Sequence, residues 1–310
     1  MKELIPLTEI KQYEPKFNEL INSFTRYLDV SPNSTKSYLA GVKRFISFMS
    51  ENGITTPTRD TVIMYKKALI EKYSANTVAI SLSSIRKFFG WLESEGLYAN
   101  ITAGIKSPKI DSGHKKDAFT AIQLKAILSK IDRKCLEGKR DYAIFALMSA
   151  CGLRTIEIQR ANVCDIRNTY GEYCLYIMGK GKTSKSDFVK LSAPVLNAIR
   201  DYLNARGAVS EDEPLFASCS KRNKGGRLTT QSISRICKNA MRMSGFNSPR
   251  LTAHSLRHSA VTLALLGGLS IQDVSRFARH SNIAITMVYS HDIERLRSKC
   301  EGVISSAIFN

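Results

Sequence analysis

The chain has 310 residues, 43% hydrophobic and 24% charged, which is ordinary for a globular protein and leaves room for two domains with their own cores. Its formal charge of +19 points to a polyanionic partner, with nucleic acid ahead of membrane because no basic amphipathic helix with a large apolar face stands out. No apolar run approaches the ~18 residues of a membrane span, and the opening MKELIPLTEIKQYEPK lacks the apolar centre of a signal peptide, so a cytoplasmic, nucleoid-associated protein is expected.

Residues 1–16 read as a loose lead-in, and FNELINSFTRYLD (17–29) as a helix. SPNST then gives a turn and an N-cap. In the next helix Tyr38, Leu39, Val42, Phe45, Ile46 and Met49 form one stripe. Lys36, Lys43 and Arg44 lie off that stripe and are candidate DNA contacts. Asn52-Gly53 ends the helix. A third helix is expected over 58–72 and a fourth over 75–95, with Ile80, Ile85, Phe88, Phe89 and Leu92 on its apolar side and Trp91 in the core. Residues 1–98 therefore read as an all-helical bundle. Residues 99–118 hold Gly104, Pro108, Gly113 and the basic pair Lys115-Lys116, and read as a linker in which His114 is solvated.

The second domain, 119–310, is expected to be mixed α/β. Thr120 can cap a helix over 121–131, and 139–150 is apolar on most sides, as a buried helix would be. Gly152 breaks the chain before GLRTIEI, where Arg154 and Glu157 share a face if a short helix starts there. That pair is either a local ion pair or an arginine aimed at a phosphate with Glu157 orienting it. Over 172–191 the period changes to two, and EYCLYIM and DFVKL read as strands around GKGKTSKS. The hairpin tip carries Lys180, Lys182 and Lys185, a basic probe for a DNA groove. A nucleotide-binding P-loop is excluded, because position 176 is Tyr where that motif needs Gly and a strand follows where it needs a helix. Helices are expected over 193–206 and 230–244. Between them CSKRNKGGRL carries Lys221 and Arg222, which either touch backbone phosphates or are simply solvated.

The stretch from His254 to Tyr289 holds the densest chemistry. His254 and Arg257 share a face of a helix over 254–263, which Gly267-Gly268 stops. A short helix over 270–278 leads to His280, and Tyr289 follows nine residues later. Two imidazoles, a guanidinium and a phenol can thus converge, a set suited to a phosphate under attack by a tyrosine. Charge favours the same half: residues 1–112 hold 15 Lys and Arg against 11 Asp and Glu, whereas 113–310 hold 31 against 16. The seven cysteines are scattered and show no CxxC pair, so reduced, mostly buried thiols are expected rather than disulfides or zinc.

In order and context, Arg154, Lys180, His254, Arg257, His280 and Tyr289 resemble the catalytic set of the tyrosine recombinases of the phage-integrase and Xer type. GLRTIEI resembles that family's first arginine box, GKGK its lysine hairpin, HSLRH its His-x-x-Arg box, and ARHSNIAITMVYSH its terminal segment. The resemblance covers nearly the whole chain. It implies a mainly α, two-domain protein with a small β-sheet: a helical, SAM-like core-binding bundle and a catalytic domain that close as a clamp on double-stranded DNA at inverted-repeat core sites. It further implies strand cleavage through a 3′-phosphotyrosine, no cofactor and no metal, four protomers on two sites with the apolar tail after Tyr289 docking on a neighbour, and accessory DNA-bending proteins as candidate partners. In this reading Arg154, Arg257 and His280 hold the phosphate, His254 accepts the tyrosine proton, Lys180 protonates the leaving 5′ oxygen and Glu157 orients the basic groups. One departure is Ala278-Arg279 where the family has Leu-Gly. Arg does not relax a positive-φ turn as Gly does, so a different local turn is expected. A type IB topoisomerase and a catalytically silent DNA-binding protein are the alternatives, and integration or excision of a mobile element, dimer resolution and promoter inversion all stay open.

Overall fold

The computed structural model describes residues 14–109 and 117–309. Its contacts divide the chain into two compact units, Met1–Ser112 and Gly113–Asn310. The lead-in up to residue 13, and His114, Lys115 and Lys116 of the expected linker, lie outside the described residues.

The first unit contains α1 (Glu14–Tyr27), α2 (Pro32–Glu51), α3 (Arg59–Lys72) and α4 (Ala75–Ser94). Ser31 accepts the Ser34 N–H at the start of α2, and Pro32 follows at a position where its missing N–H costs nothing. Ser74 caps α4 in the same way through Thr77. The core is the α2 stripe of Val42, Phe45 and Met49 against Leu82, Ile85, Phe88, Phe89 and Leu92 of α4, with Trp91 buried beside them. Phe45 meets Phe89 edge to face at 5.8 Å. The two helices come this close at Gly41, where a Cβ would lie 2.4 Å from that of Ser84.

One expectation for this unit fails. Ile80 is 48% exposed, not on the apolar side of α4; it stands five residues from Ile85, roughly 140° around the helix. Arg44, half-buried, makes contacts inside the bundle. It donates to Ser81 Oγ at 2.7 Å and lies over the Tyr73 ring at 5.2 Å, so it braces the bundle from within. Lys36 and Lys43 are exposed.

The second unit holds α5 (Ala121–Lys130), α6 (Leu136–Cys151), α7 (Thr155–Arg160), β1 (Ile166–Thr169), β2 (Glu172–Ile177), β3 (Asp187–Lys190), α8 (Ala193–Arg206), α9 (Thr230–Met243), α10 (Ala253–Leu266), α11 (Ile271–Ala278), α12 (Ala284–Arg297) and α13 (Cys300–Phe309). Thr120 and Gln123 cap α5 reciprocally. The middle of α6 is buried on every side, from Ala143 through Ser149, as its apolar run requires. The sheet is antiparallel in the order β1-β2-β3. Leu175 pairs with Val189, and both are buried in the main core. Sequence periodicity misses β1, because IRNT has one apolar residue; the Tyr170-Gly171 turn, with φ of 52° and 81°, is its visible signal. The β2–β3 pairing leaves Lys180 and Lys182 exposed on the intervening loop.

All seven cysteines are free; Cys151, Cys174 and Cys237 are buried, while Cys135 and Cys300 are exposed, so burial is less general than expected. Among the described residues no helix is long and apolar enough to cross a membrane.

Candidate active site

Gly152 ends α6 in the left-handed conformation, φ 58°. The chain turns there and presents Arg154 as the N-cap of α7. Glu157, one turn on, is 1% exposed. Its Oε2 accepts the Arg154 backbone N–H at 2.8 Å, and its Oε1 accepts the Arg154 guanidinium at 3.0 Å. A carboxylate is favoured here, since it satisfies a first-turn N–H and meets the positive end of the helix. Arg160, at the other end of α7, donates to Gly179 O at 2.9 Å and ties the lysine loop to the same short helix.

α10 supplies the second face. Arg257 is 2% exposed. It donates to Gly152 O at 2.6 Å and to Ala278 O, so it joins the turn before Arg154 to the turn before His280. Burial first, then the guanidiniums of Arg154 and Arg279, push it down to about 9, which leaves it charged at neutral pH. His254 is exposed at the start of α10. With Arg154, Lys180, Arg235 and Lys238 it lines a cleft of about 690 Å³.

The turn after α11 is formed by Arg279 itself in the left-handed region, φ 55° and ψ 47°. The expectation of a different turn is therefore overturned. The backbone takes the shape a glycine would, at a cost of roughly 1–2 kcal/mol for a residue with a Cβ. The side chain offsets that cost by donating to Phe277 O at 2.7 Å, Gly152 O at 3.2 Å and Glu157 Oε2 at 3.2 Å. His280 Nδ1 and Thr286 Oγ1 lie 2.8 Å apart. Burial, followed by Arg257, Arg154, Arg279 and His254, pushes His280 down to about 4, so it is neutral at pH 7.

Tyr289 is 7% exposed in a small core with Val261, Leu265, Val274, Ala278 and Ile293. Its ring stacks at 6.5 Å on His280 and tilts at 4.6 Å against His258. Burial raises its pKa, and Arg257 opposes the rise.

The structure thus gathers Arg154, Glu157, Arg257, His280 and Tyr289 around the α6–α7 and α11–α12 turns, and sets His254 and Lys180 together in the adjoining cleft. Lys185 does not join the exposed hairpin lysines. It pairs with Asp165, a buried carboxylate that also accepts the Asn162 N–H, so it fastens the base of the loop. Lys182, Lys221 and Arg222 are exposed, and the Lys182 backbone N–H donates to Gly179 O, the same carbonyl that accepts Arg160. Sequence reasoning misses two neighbours of the site. His258 was visible as the position four residues after His254 on the same helical face. Arg279 stands out in the sequence only as a departure; nothing local says that its side chain folds inward. Among the described residues no group of three or more His, Cys, Asp or Glu side chains could hold a metal ion.

Comparison with known proteins bears on this geometry. The Phage integrase family pattern matches residues 118–295, more than half of the chain. The chain belongs to the phage integrase family. The N-terminal SAM-like domain of phage integrases matches residues 21–96 of this tyrosine recombinase. Similar proteins include tyrosine recombinase XerC of Caldanaerobacter subterraneus subsp. tengcongensis, 29% identical over 96% of this chain and 88% of its own. Tyrosine recombinase XerD of Listeria monocytogenes serotype 4b is 29% identical over 91% and 96%. Among solved structures, XerH bound to a palindromic difH substrate has a TM-score of 0.70 at 20% identity, over 87% of this chain and 79% of that one. A lambda integrase dimer bound to a COC′ core site has 0.66 at 16%, over 88% and 76%. At such identities these structures show that the recombinase shares their fold.

Proposed function

We propose that this recombinase cuts and rejoins double-stranded DNA at inverted-repeat sites through Tyr289. The observation that carries the reading is the placement of the Tyr289 ring against His280, within the field of an Arg257 that is fastened to the Gly152 turn beside Arg154. A phosphodiester is a poor, charged electrophile. Arg154 and Arg257 neutralise its non-bridging oxygens as charge builds there. Neutral His280 adds a hydrogen bond from Nε2 when the Thr286 hydroxyl donates to Nδ1. Tyr289 oxygen attacks phosphorus, the bond to the 5′ oxygen breaks, and a 3′-phosphotyrosine forms. Bond energy is conserved, so the freed 5′ hydroxyl rejoins a strand by reversing the step without ATP.

Lys180, on a loop tied to α7, protonates the leaving oxygen from the cleft. His254 lines the same cleft and is the proposed acceptor of the tyrosine proton. The 4.6 Å ring contact favours a second reading in which His258 takes that role. Exposed Lys36, Lys43, Lys182, Lys221 and Arg222, with Lys115 and Lys116, supply phosphate contacts. Four protomers on two sites, with or without DNA-bending helpers in the nucleoid, integrate or excise a mobile element or resolve dimers.

Covalent trapping tests this. Nicked duplexes from the DNA flanking the gene, carrying candidate inverted repeats, are incubated with wild type and with Tyr289→Phe. A denaturation-resistant adduct with wild type alone is expected. An adduct with both would move the nucleophile to another tyrosine. Tight binding with no adduct by either would favour the silent DNA-binding alternative, and relaxation of an unrelated plasmid by dilute protein would favour the topoisomerase.

A further inference from the structure

We propose that Arg279 is a positioning residue of this site, holding Glu157, and through it Arg154, against the turn that carries His280. The inference rests on the phosphotyrosine reading above and assigns a new part within it.

Among the described residues two non-glycine residues have positive φ, Tyr170 and Arg279. They are opposites. Tyr170 is fully exposed on a hairpin turn, whereas the Arg279 side chain is 11% exposed. An arginine there meets three disfavours together: a strained backbone, loss of hydration, and the nearby guanidiniums of Arg154 and Arg257. Its contacts explain why it is held. One end donates to Phe277 O in its own turn; the other reaches Gly152 O and Glu157 Oε2 across the site.

Those acceptors are shared. Glu157 gives its other oxygen to Arg154 at 3.0 Å, and Gly152 O also receives Arg257 at 2.6 Å. Arg257 then returns to Ala278 O, the residue before Arg279. A ring closes through Arg154, Glu157, Arg279 and Gly152 with the backbone between Gly152 and Arg154, and Arg257 bridges Gly152 to Ala278 beside it, joining segments more than a hundred positions apart. Apart from Arg279, the hydrogen bonds that Glu157 accepts among the described residues come from Arg154, on its own short helix. The Arg279 Nε is shut off from solvent and has no hydrogen-bond partner among the described residues. The group therefore faces inward and acts through Glu157 instead of on the phosphate.

The test uses the full chain and the nicked duplex of the trapping experiment, with wild type and Tyr289→Phe as controls. A wild-type adduct absent from Tyr289→Phe upholds the underlying reading; without it that reading falls, whatever Arg279 does. Arg279→Gly relaxes the turn and removes the brace, and Arg279→Asn, also tolerant of positive φ, is run beside it so that the result does not hang on one variant folding. Expected are duplex affinities within about twofold of wild type and single-turnover cleavage at saturating protein slower by about tenfold or more, the scale of a misplaced reacting group. Arg279→Lys recovers part of the rate, since one ammonium reaches Glu157 but cannot also fork to Gly152. Adding Glu157→Gln to Arg279→Gly costs less than Glu157→Gln alone. Wild-type cleavage by the glycine and asparagine variants, or a loss confined to affinity, overturns the proposal.

Discussion

His280 stands where three guanidiniums and burial act on one imidazole, and the direction of the effect is fixed. A free histidine titrates near ~6.5, whereas His280 in the fold is pushed down to about 4. Between those values the unfolded chain holds a proton that the folded chain refuses. Stability from this residue is therefore complete above the unfolded value and is lost as pH falls through the folded one. His280→Gln, neutral throughout and able to hydrogen-bond Thr286, removes that proton. Melting temperatures of the two proteins, followed from pH 7 to pH 4, are expected to diverge above about pH 4 and below about pH 6.5, the wild type falling more steeply. Parallel curves would show that His280 titrates as an ordinary exposed histidine. The same cations that press on His280 explain why Glu157 is buried and doubly bonded: among the described residues it is the carboxylate paired with Arg154 and Arg279, and it offsets part of their mutual repulsion.

At the scale of elements, the helices with a clean apolar stripe were legible in the sequence, because burial on one side leaves a 3.6-residue signature. The α2 stripe of Val42, Phe45 and Met49 is buried as read, and Thr120 and the glycine pair after α10 mark real boundaries. The order of the boxes around Arg154, His254 and Tyr289 was equally legible. What failed depends on tertiary context. β1 lacks alternation, and the Arg279 side chain turns inward at a position whose letter suggests solvent. Gly41 is a further case: a glycine inside a helix reads as a weak point, yet it sets the α2–α4 distance. Gly41→Ala would place a methyl 2.4 Å from Ser84 Cβ. Overpacking of this kind costs about 1–3 kcal/mol despite the better helix propensity of alanine. Chemical denaturation is expected to show that loss. A variant as stable as wild type would mean that α2 and α4 separate at no cost.

The whole molecule adds a feature that neither unit uses internally. Helix α13 is exposed along its length, with Val303 at 66%, Ile304 at 57%, Ile308 at 66% and Phe309 at 80%. Its sequence, CEGVISSAIF, carries a single charge. An exposed apolar helix is suited to docking, and on the proposed reading its acceptor is a neighbouring copy assembled on paired sites. Full burial of one large apolar side chain contributes roughly 1.5–3 kcal/mol, so on that reading even partial burial of four is enough to shift association of protomers. Truncation after Ser298 removes the helix and leaves Tyr289 and the whole cleft in place. The shortened protein is expected to bind a one-site duplex like the full chain, while its assembly on two-site DNA, read by native gel shift and sedimentation, weakens by about tenfold or more, the ratio that 1.4 kcal/mol per association step commands. Unchanged two-site assembly would detach the tail from synapsis, and equal losses on one-site and two-site DNA would give it a part in holding the protomer on DNA instead.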